Sequence, residues 1–150
     1  KKIHLFVFLI STLILIEGCG YKKIYSSDNL KFKIDRVNYA ENNLNNKIVK
    51  IIKSFSNSEA LNSYDLTLKT KKEKRVVSKN SKGDPESYEI KIVAELNIYN
   101  EVKNYTKSFT SQAKYKDDEN KFKLKQYETE IEKQIVENII EKILLFFTDI

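Results

Sequence analysis

Tyr88-Glu89-Ile90-Lys91-Ile92-Val93-Ala94-Glu95-Leu96-Asn97-Ile98 places an apolar residue at every second position, from Tyr88 through Ile90, Ile92, Ala94 and Leu96 to Ile98. Side chains alternate between the two faces of a strand, so this pattern predicts a long strand with one buried face. Before it, Lys79-Asn80-Ser81-Lys82-Gly83-Asp84-Pro85 holds the only proline of the chain and predicts a turn. Further upstream, Tyr64, Leu66 and Leu68 alternate with Asp65, Thr67 and Lys69, and the run continues as a strongly basic arm to Val77. Downstream, a turn around Asn100 to Asn104 leads into Tyr105, Phe109, Ala113 and Tyr115, again one face of a strand. Three strands with short connections predict an antiparallel meander, and its apolar face requires a cover.

Helical periodicity before and after the meander in sequence supplies that cover. Between Asn42 and Ser56, residues Leu44, Ile48, Ile51, Ile52 and Phe55 fall on one helical face, with Asn42 or Asn43 as the N-cap. From Asp118 to Phe147 there is no Gly or Pro, and Leu124, Tyr127, Ile131, Ile135, Ile139, Ile143 and Phe146 recur every three or four residues. Lys133 and Glu137 are spaced for an intrahelical pair. Leu144 to Phe147 widen the apolar surface, either as a helix end packed in the core or as a contact for lipid or a partner. A first strand spans Leu30 to Tyr39. Its apolar phase shifts from Leu30, Phe32 and Ile34 to Val37 and Tyr39, which predicts a bulge near Asp35-Arg36. The expected fold is α+β, in the order β-α-β-β-β-α. Two helices pack on one face of a mostly antiparallel four-stranded sheet.

The N-terminus reads differently. Lys1 and Lys2 precede an almost unbroken apolar run, Leu5 to Ile16. This run is shorter than the ~20 residues of a transmembrane helix and suits the apolar region of a secretory signal. Ile16-Glu17-Gly18-Cys19 follows, with the only cysteine of the chain. The order aliphatic, any, small, cysteine resembles the lipobox of bacterial lipoproteins, departing from the usual pattern at Glu17. The resemblance implies cleavage after Gly18 and a covalent lipid on Cys19, with palmitate among the acyl chains. The bland alternative is a buried, inert cysteine. Gly20 resembles an outer-membrane address. The expected organisation is a signal peptide over 1–18, a lipidated tether over 19–29 and one α+β domain over 30–150.

Chemistry within the domain is sparse. The only histidine is His4, inside the signal, so no Cys–His or Ser–His pair and no usual zinc spacing remains. Glycines occur only at 18, 20 and 83, too few for a phosphate loop. Asp117-Asp118-Glu119 is the densest carboxylate cluster, and its position before a helix favours an electrostatic role over a metal site. We expect no enzyme activity, no catalytic or metal-binding residues and no cofactor beyond the lipid on Cys19. An envelope hydrolase would require a carboxylate pair in a pocket.

The chain carries a net charge of +6, which favours anionic partners. An exported lipoprotein rarely meets nucleic acid, so none is expected. The charge is densest in Lys69, Lys71, Lys72, Lys74, Arg75, Lys79 and Lys82, with Glu73 alone against them. On a hairpin arm these cations could meet phosphates or anionic sugars through charge-assisted hydrogen bonds. They could equally protect a sheet edge from aggregation.

Three features together resemble the lipopolysaccharide-assembly lipoprotein family LptE. Cys19-Gly20-Tyr21 followed by Lys22-Lys23-Ile24-Tyr25 is similar to that family's Cys-Gly-aromatic start. The order of elements is similar to its fold. Gln134-Ile135-Val136-Glu137-Asn138-Ile139-Ile140 running into Leu144-Leu145-Phe146 resembles its closing helix. The resemblance implies an outer-membrane lipoprotein on the periplasmic side. Such proteins plug an LptD-like β-barrel, assist its assembly and contact lipopolysaccharide in transit. The alternative is a periplasm-facing adaptor or structural module that binds another envelope protein.

Overall fold

The computed structural model describes residues 32–150. The signal, Gly18, Cys19, the tether and Leu30 therefore lie outside the described residues. Six elements follow in the order β1 (Phe32–Tyr39), α1 (Asn43–Ser54), β2 (Asn62–Lys79), β3 (Pro85–Tyr99), β4 (Asn104–Lys116) and α2 (Lys121–Thr148). This is the expected order, and the strands lie side by side as β1-β2-β3-β4.

The sheet corrects one expectation. It is mixed rather than mostly antiparallel, because β1 and β2 run parallel while β2–β3 and β3–β4 run antiparallel. A two-residue turn can join only antiparallel neighbours, whereas parallel neighbours need a crossover, usually a helix. The segment from Ala40 to Leu61, with α1 at its centre, is that crossover. The predicted bulge is present. Ile34 pairs with Tyr64 and Arg36 with Asp65, leaving Asp35 as the extra residue. The insertion moves Val37 and Tyr39 onto the face already occupied by Ile34.

One face of the sheet is dry. Tyr64, Leu66, Leu68, Ile90, Ile92, Ala94, Leu96, Ile98, Phe109 and Tyr115 are buried there beneath both helices. Helix α1 contributes Ile48, Val49 and Ile52, and α2 contributes Leu124, Ile131, Ile135, Val136, Ile139, Ile140, Ile143, Leu144 and Phe147. Of the apolar helix end, Leu144 and Phe147 are buried while Leu145 is exposed. Phe147 stacks on Phe32 with ring centroids 4.1 Å apart, joining the last helix to the first strand. The predicted stripe of α2 thus faces the core, except Tyr127, which is exposed.

Capping fixes both helix starts. The Asn42 side chain accepts a hydrogen bond from the Asn45 amide at 2.8 Å, one of the first amides that lack an intrahelical partner. Asn120 does the same for α2, accepting from the amides of Phe122 and Lys123. That helix therefore begins three residues later than the apolar pattern alone suggests. Asp117-Asp118-Glu119 precede the cap. Asp117 pairs with Lys121 at 2.9 Å, and Asp118 accepts from the Asn120 amide at 2.7 Å. Within α2, Lys133 pairs with Glu130 at 3.7 Å and not with the expected Glu137.

Candidate functional site: the basic arm

Beyond Leu68, β2 has no partner on the β1 side among the described residues and runs as an edge strand to Lys79. Its far end turns tightly into β3. The Asn80 amide donates to the Asp84 carbonyl at 2.9 Å, and the Asn80 side chain accepts from the amides of Lys82 and Asp84. Gly83 adopts φ 88°, a left-handed conformation that side chains disfavour. The predicted turn is thus a closed loop that holds Lys82 at the tip of the arm.

Strand alternation divides the seven candidate cations between two environments. Lys72 and Lys74 share the face of Tyr64, Leu66 and Leu68 and meet α2. Lys69, Lys71 and Arg75 point to the opposite, open face. Lys72 pairs with Glu132, and Lys74 pairs with Glu128. The spacings match: two strand residues advance about 6.6–6.8 Å and four helix residues about 6 Å. Lys74 also lies 4.4 Å from the centre of the Tyr88 ring. The Tyr115 hydroxyl donates to Glu128 at 2.7 Å, and Tyr88 stacks on Tyr115 at 5.5 Å. These residues form a latch between arm and helix.

Protonation follows from that geometry. Burial, reinforced by the hydrogen bond to Glu128, pushes the Tyr115 hydroxyl up to about 12. Burial opposes charge on Glu128, but the hydrogen bonds from Lys74 and Tyr115 outweigh it and hold the carboxyl below its ordinary value. Burial likewise opposes charge on Lys74, and the bond to Glu128 raises its affinity for a proton despite that.

On the open face, Arg75 Nε donates to Glu89 Oε1 at 2.7 Å. The Glu89 side chain is only 2% exposed, whereas Arg75 is 72% exposed, and Glu89 Oε2 has no hydrogen-bond partner among the described residues. Directly opposite Glu89 on the other side stands Lys114 of β4. Arg75 therefore neutralises a covered carboxylate, and its removal leaves that charge uncompensated. Lys71 pairs with Glu73 at 2.7 Å, with both side chains at least half exposed. Among the described residues, Lys69, Lys79 and Lys82 form no ion pair. The expected seven-cation site is therefore split. Lys72, Lys74 and Arg75 are engaged with carboxylates of α2 and β3, Lys71 holds only an exposed one, and Lys69, Lys79 and Lys82 form no ion pair among the described residues.

The latch partners Glu128, Glu132 and Glu89 escaped the sequence reading. One signal was available: Thr70, Lys72 and Lys74 occupy the core-facing phase of β2, where Tyr64, Leu66 and Leu68 had been apolar. A polar break on a buried face calls for polar partners in the covering element. Glu128 and Glu132, four apart on α2, offer them. Nothing in the alternation of β3 marked Glu89 as covered, because it belongs to the polar phase.

No protein-family description matches the sequence, and no curated protein matches it. Solved structures do resemble the fold. An uncharacterized lipoprotein B from Nitrosomonas europaea superposes with a TM-score of 0.59 at 14% identity, covering 83% of this chain and 88% of that one. A minor lipoprotein from Acinetobacter baumannii gives 0.55 at 10% identity, covering 80% and 94%. A putative lipoprotein from Caulobacter crescentus gives 0.54 at 11% identity, covering 82% and 92%. At these identities the likeness concerns the fold, and the chain has a fold found among bacterial lipoproteins.

Proposed function

We propose that this chain is an envelope lipoprotein, lipidated at Cys19, that assists lipopolysaccharide transport and assembly at the outer membrane as partner of an LptD-like β-barrel. One observation carries the reading: the fold common to several bacterial lipoproteins follows a stretch, Ile16 to Cys19, with the order of a lipobox. The open sheet face supports the barrel partnership. It is built mainly from Lys, Arg, Asp, Glu, Ser, Thr, Asn and Gln, with Val93 and Tyr99 as exceptions, and the interior of an outer-membrane barrel is polar. The role is one of binding and assembly, with no enzymatic step.

Lipopolysaccharide would meet the arm through phosphate. Lys69, Lys79 and Lys82, which form no ion pair among the described residues, would donate to it, and Lys71 would exchange an exposed carboxylate for a dianion. Replacing these four lysines by glutamine should weaken lipopolysaccharide binding while thermal unfolding stays within about 1 kcal/mol, since exposed pairs contribute little. Neutralising Lys72, Lys74 and Arg75 would instead perturb the fold and leave binding uninterpretable. The barrel itself is tested by recovering the chain from membranes under mild detergent. Co-purification of a large β-barrel supports the proposal. Recovery of a periplasmic protein in its place favours the adaptor reading.

A further inference from the structure

The end of the sheet opposite the arm carries an unexplained apolar patch. Leu61, in the α1–β2 loop, is fully exposed, Val102 in the β3–β4 loop is 85% exposed, and Tyr99 is 52% exposed. The three residues are close together in space. They line one cleft of about 440 Å³ with Asp35, Arg36, Asp65 and Glu101. Two of the three rim carboxylates are paired, Asp65 with Arg36 at 2.5 Å and Asp35 with Lys33 at 2.9 Å, and the third, Glu101, stands two residues from Lys103. The Val102 loop is held in shape, because the Asn100 side chain accepts from the amides of Val102 and Lys103 at 3.1 and 2.7 Å. Beside Leu61 and Tyr99, the aliphatic tip of this loop belongs to a patch and is not a single scattered surface residue.

Where the chain enters the fold identifies the occupant. β1 begins at Phe32, which pairs with Asn62, the residue after Leu61. The domain is thus fed from the same end that carries the patch. Twelve residues lie between Cys19 and Phe32, each reaching at most about 3.3–3.6 Å. Along the chain, this end and not the arm tip is the part of the domain nearest an anchor at Cys19. Exposed aliphatic tips, a flanking tyrosine and a largely paired rim suit the interface of a bilayer, where tyrosine lies at headgroup level and aliphatic groups enter the acyl boundary.

We infer that this end of the sheet rests on a zwitterionic lipid bilayer, with Leu61 and Val102 entering the acyl boundary and Tyr99 among the headgroups. The inference rests on the lipid anchor at Cys19 and not on the barrel. It describes the chain on a bilayer by itself, with the arm projecting into the aqueous phase. Binding by this end is insensitive to salt because no net charge drives it.

The chain contains no tryptophan, so Leu61→Trp and Val102→Trp each introduce a single fluorescent probe, with Ser81→Trp at the arm tip as the control. The full chain is recovered from a host that processes lipoproteins and reconstituted in phosphatidylcholine–phosphatidylethanolamine vesicles containing brominated lipid. Leu61→Trp and Val102→Trp should shift their emission to the blue and lose intensity to the bromine, while Ser81→Trp keeps the emission of a solvated side chain. Equal emission from all three on vesicle-bound protein overturns the inference. So does shielding of Leu61→Trp that appears only when membrane proteins are added and is unaffected by bromine, which assigns the patch to a protein. Mass spectrometry of the same preparation reports acylation of Cys19. If the thiol is free, coupling it to a maleimide lipid still places the chain on vesicles and tests the patch separately from the natural anchor.

Discussion

At the scale of single residues, the arm shows that a cation's role depends on its face. Lys71 and Arg75 both lie on the open face and both form ion pairs, yet their partners differ. Glu73 is about half exposed, whereas Glu89 is covered. Arg75→Ala should therefore destabilise the chain by roughly 2 kcal/mol, the cost of leaving a buried charged acceptor unsatisfied, while Lys71→Ala changes little. Glu89→Gln added to Arg75→Ala should recover much of the loss. Urea titration of the four variants gives the coupling, and simple additivity would show that the pair carries no energy of its own. The cap at Asn42 makes a separate prediction: Asn42→Ala costs about 1 kcal/mol in the same measurement, because the Asn45 amide loses its acceptor.

At the scale of elements, the latch joins α2 to an arm that is otherwise held by its pairing with β3. Lys74, Glu128 and Tyr115 sit where β2 has lost the cover of β1, so the ion pairs take over from apolar packing. Two pH effects follow with opposite sign. Glu128 titrates below its ordinary value when folded, so its contribution is present above the unfolded carboxylate value and is lost as pH falls through the folded one. Tyr115 titrates near 12 when folded. Its contribution is complete below the unfolded value of about 10 and is lost as pH rises from there through about 12. Lys74 acts in the same alkaline sense, since its proton is held more tightly in the fold. Amide exchange of residues 70–78 should accelerate relative to the core at both extremes. Tyr115→Phe should shrink the alkaline effect, and an unchanged exchange pattern would mean that the arm is held without the latch. The turn at Gly83 has a simpler consequence. Nothing crowds an added Cβ there, so the cost of Gly83→Ala is conformational, about 1 kcal/mol in thermal unfolding.

At the scale of the whole molecule, one core runs beneath both helices. Ile139 is fully buried, so Ile139→Ala should cost about 2–5 kcal/mol. Helical and aromatic signals should shift together on denaturation, because the stacked Phe32 and Phe147 rings tie the first strand to the last helix. The sequence alone determined the elements, the bulge at Asp35, the turn before Pro85 and most of the core-facing residues, Tyr127 being an exception. These are set by short-range periodicity, by backbone chemistry and by the preference of apolar side chains for one face. Only the tertiary structure decided the parallel pairing of β1 with β2, the division of the basic arm into latch cations and others, the covering of Glu89, and the gathering of Leu61, Tyr99 and Val102 at the end where β1 begins. Each of these depends on groups distant in sequence meeting across strands or between sheet and helix. Local patterning is blind to such meetings, because an exposed lysine and one held by a helix carboxylate have the same immediate sequence context.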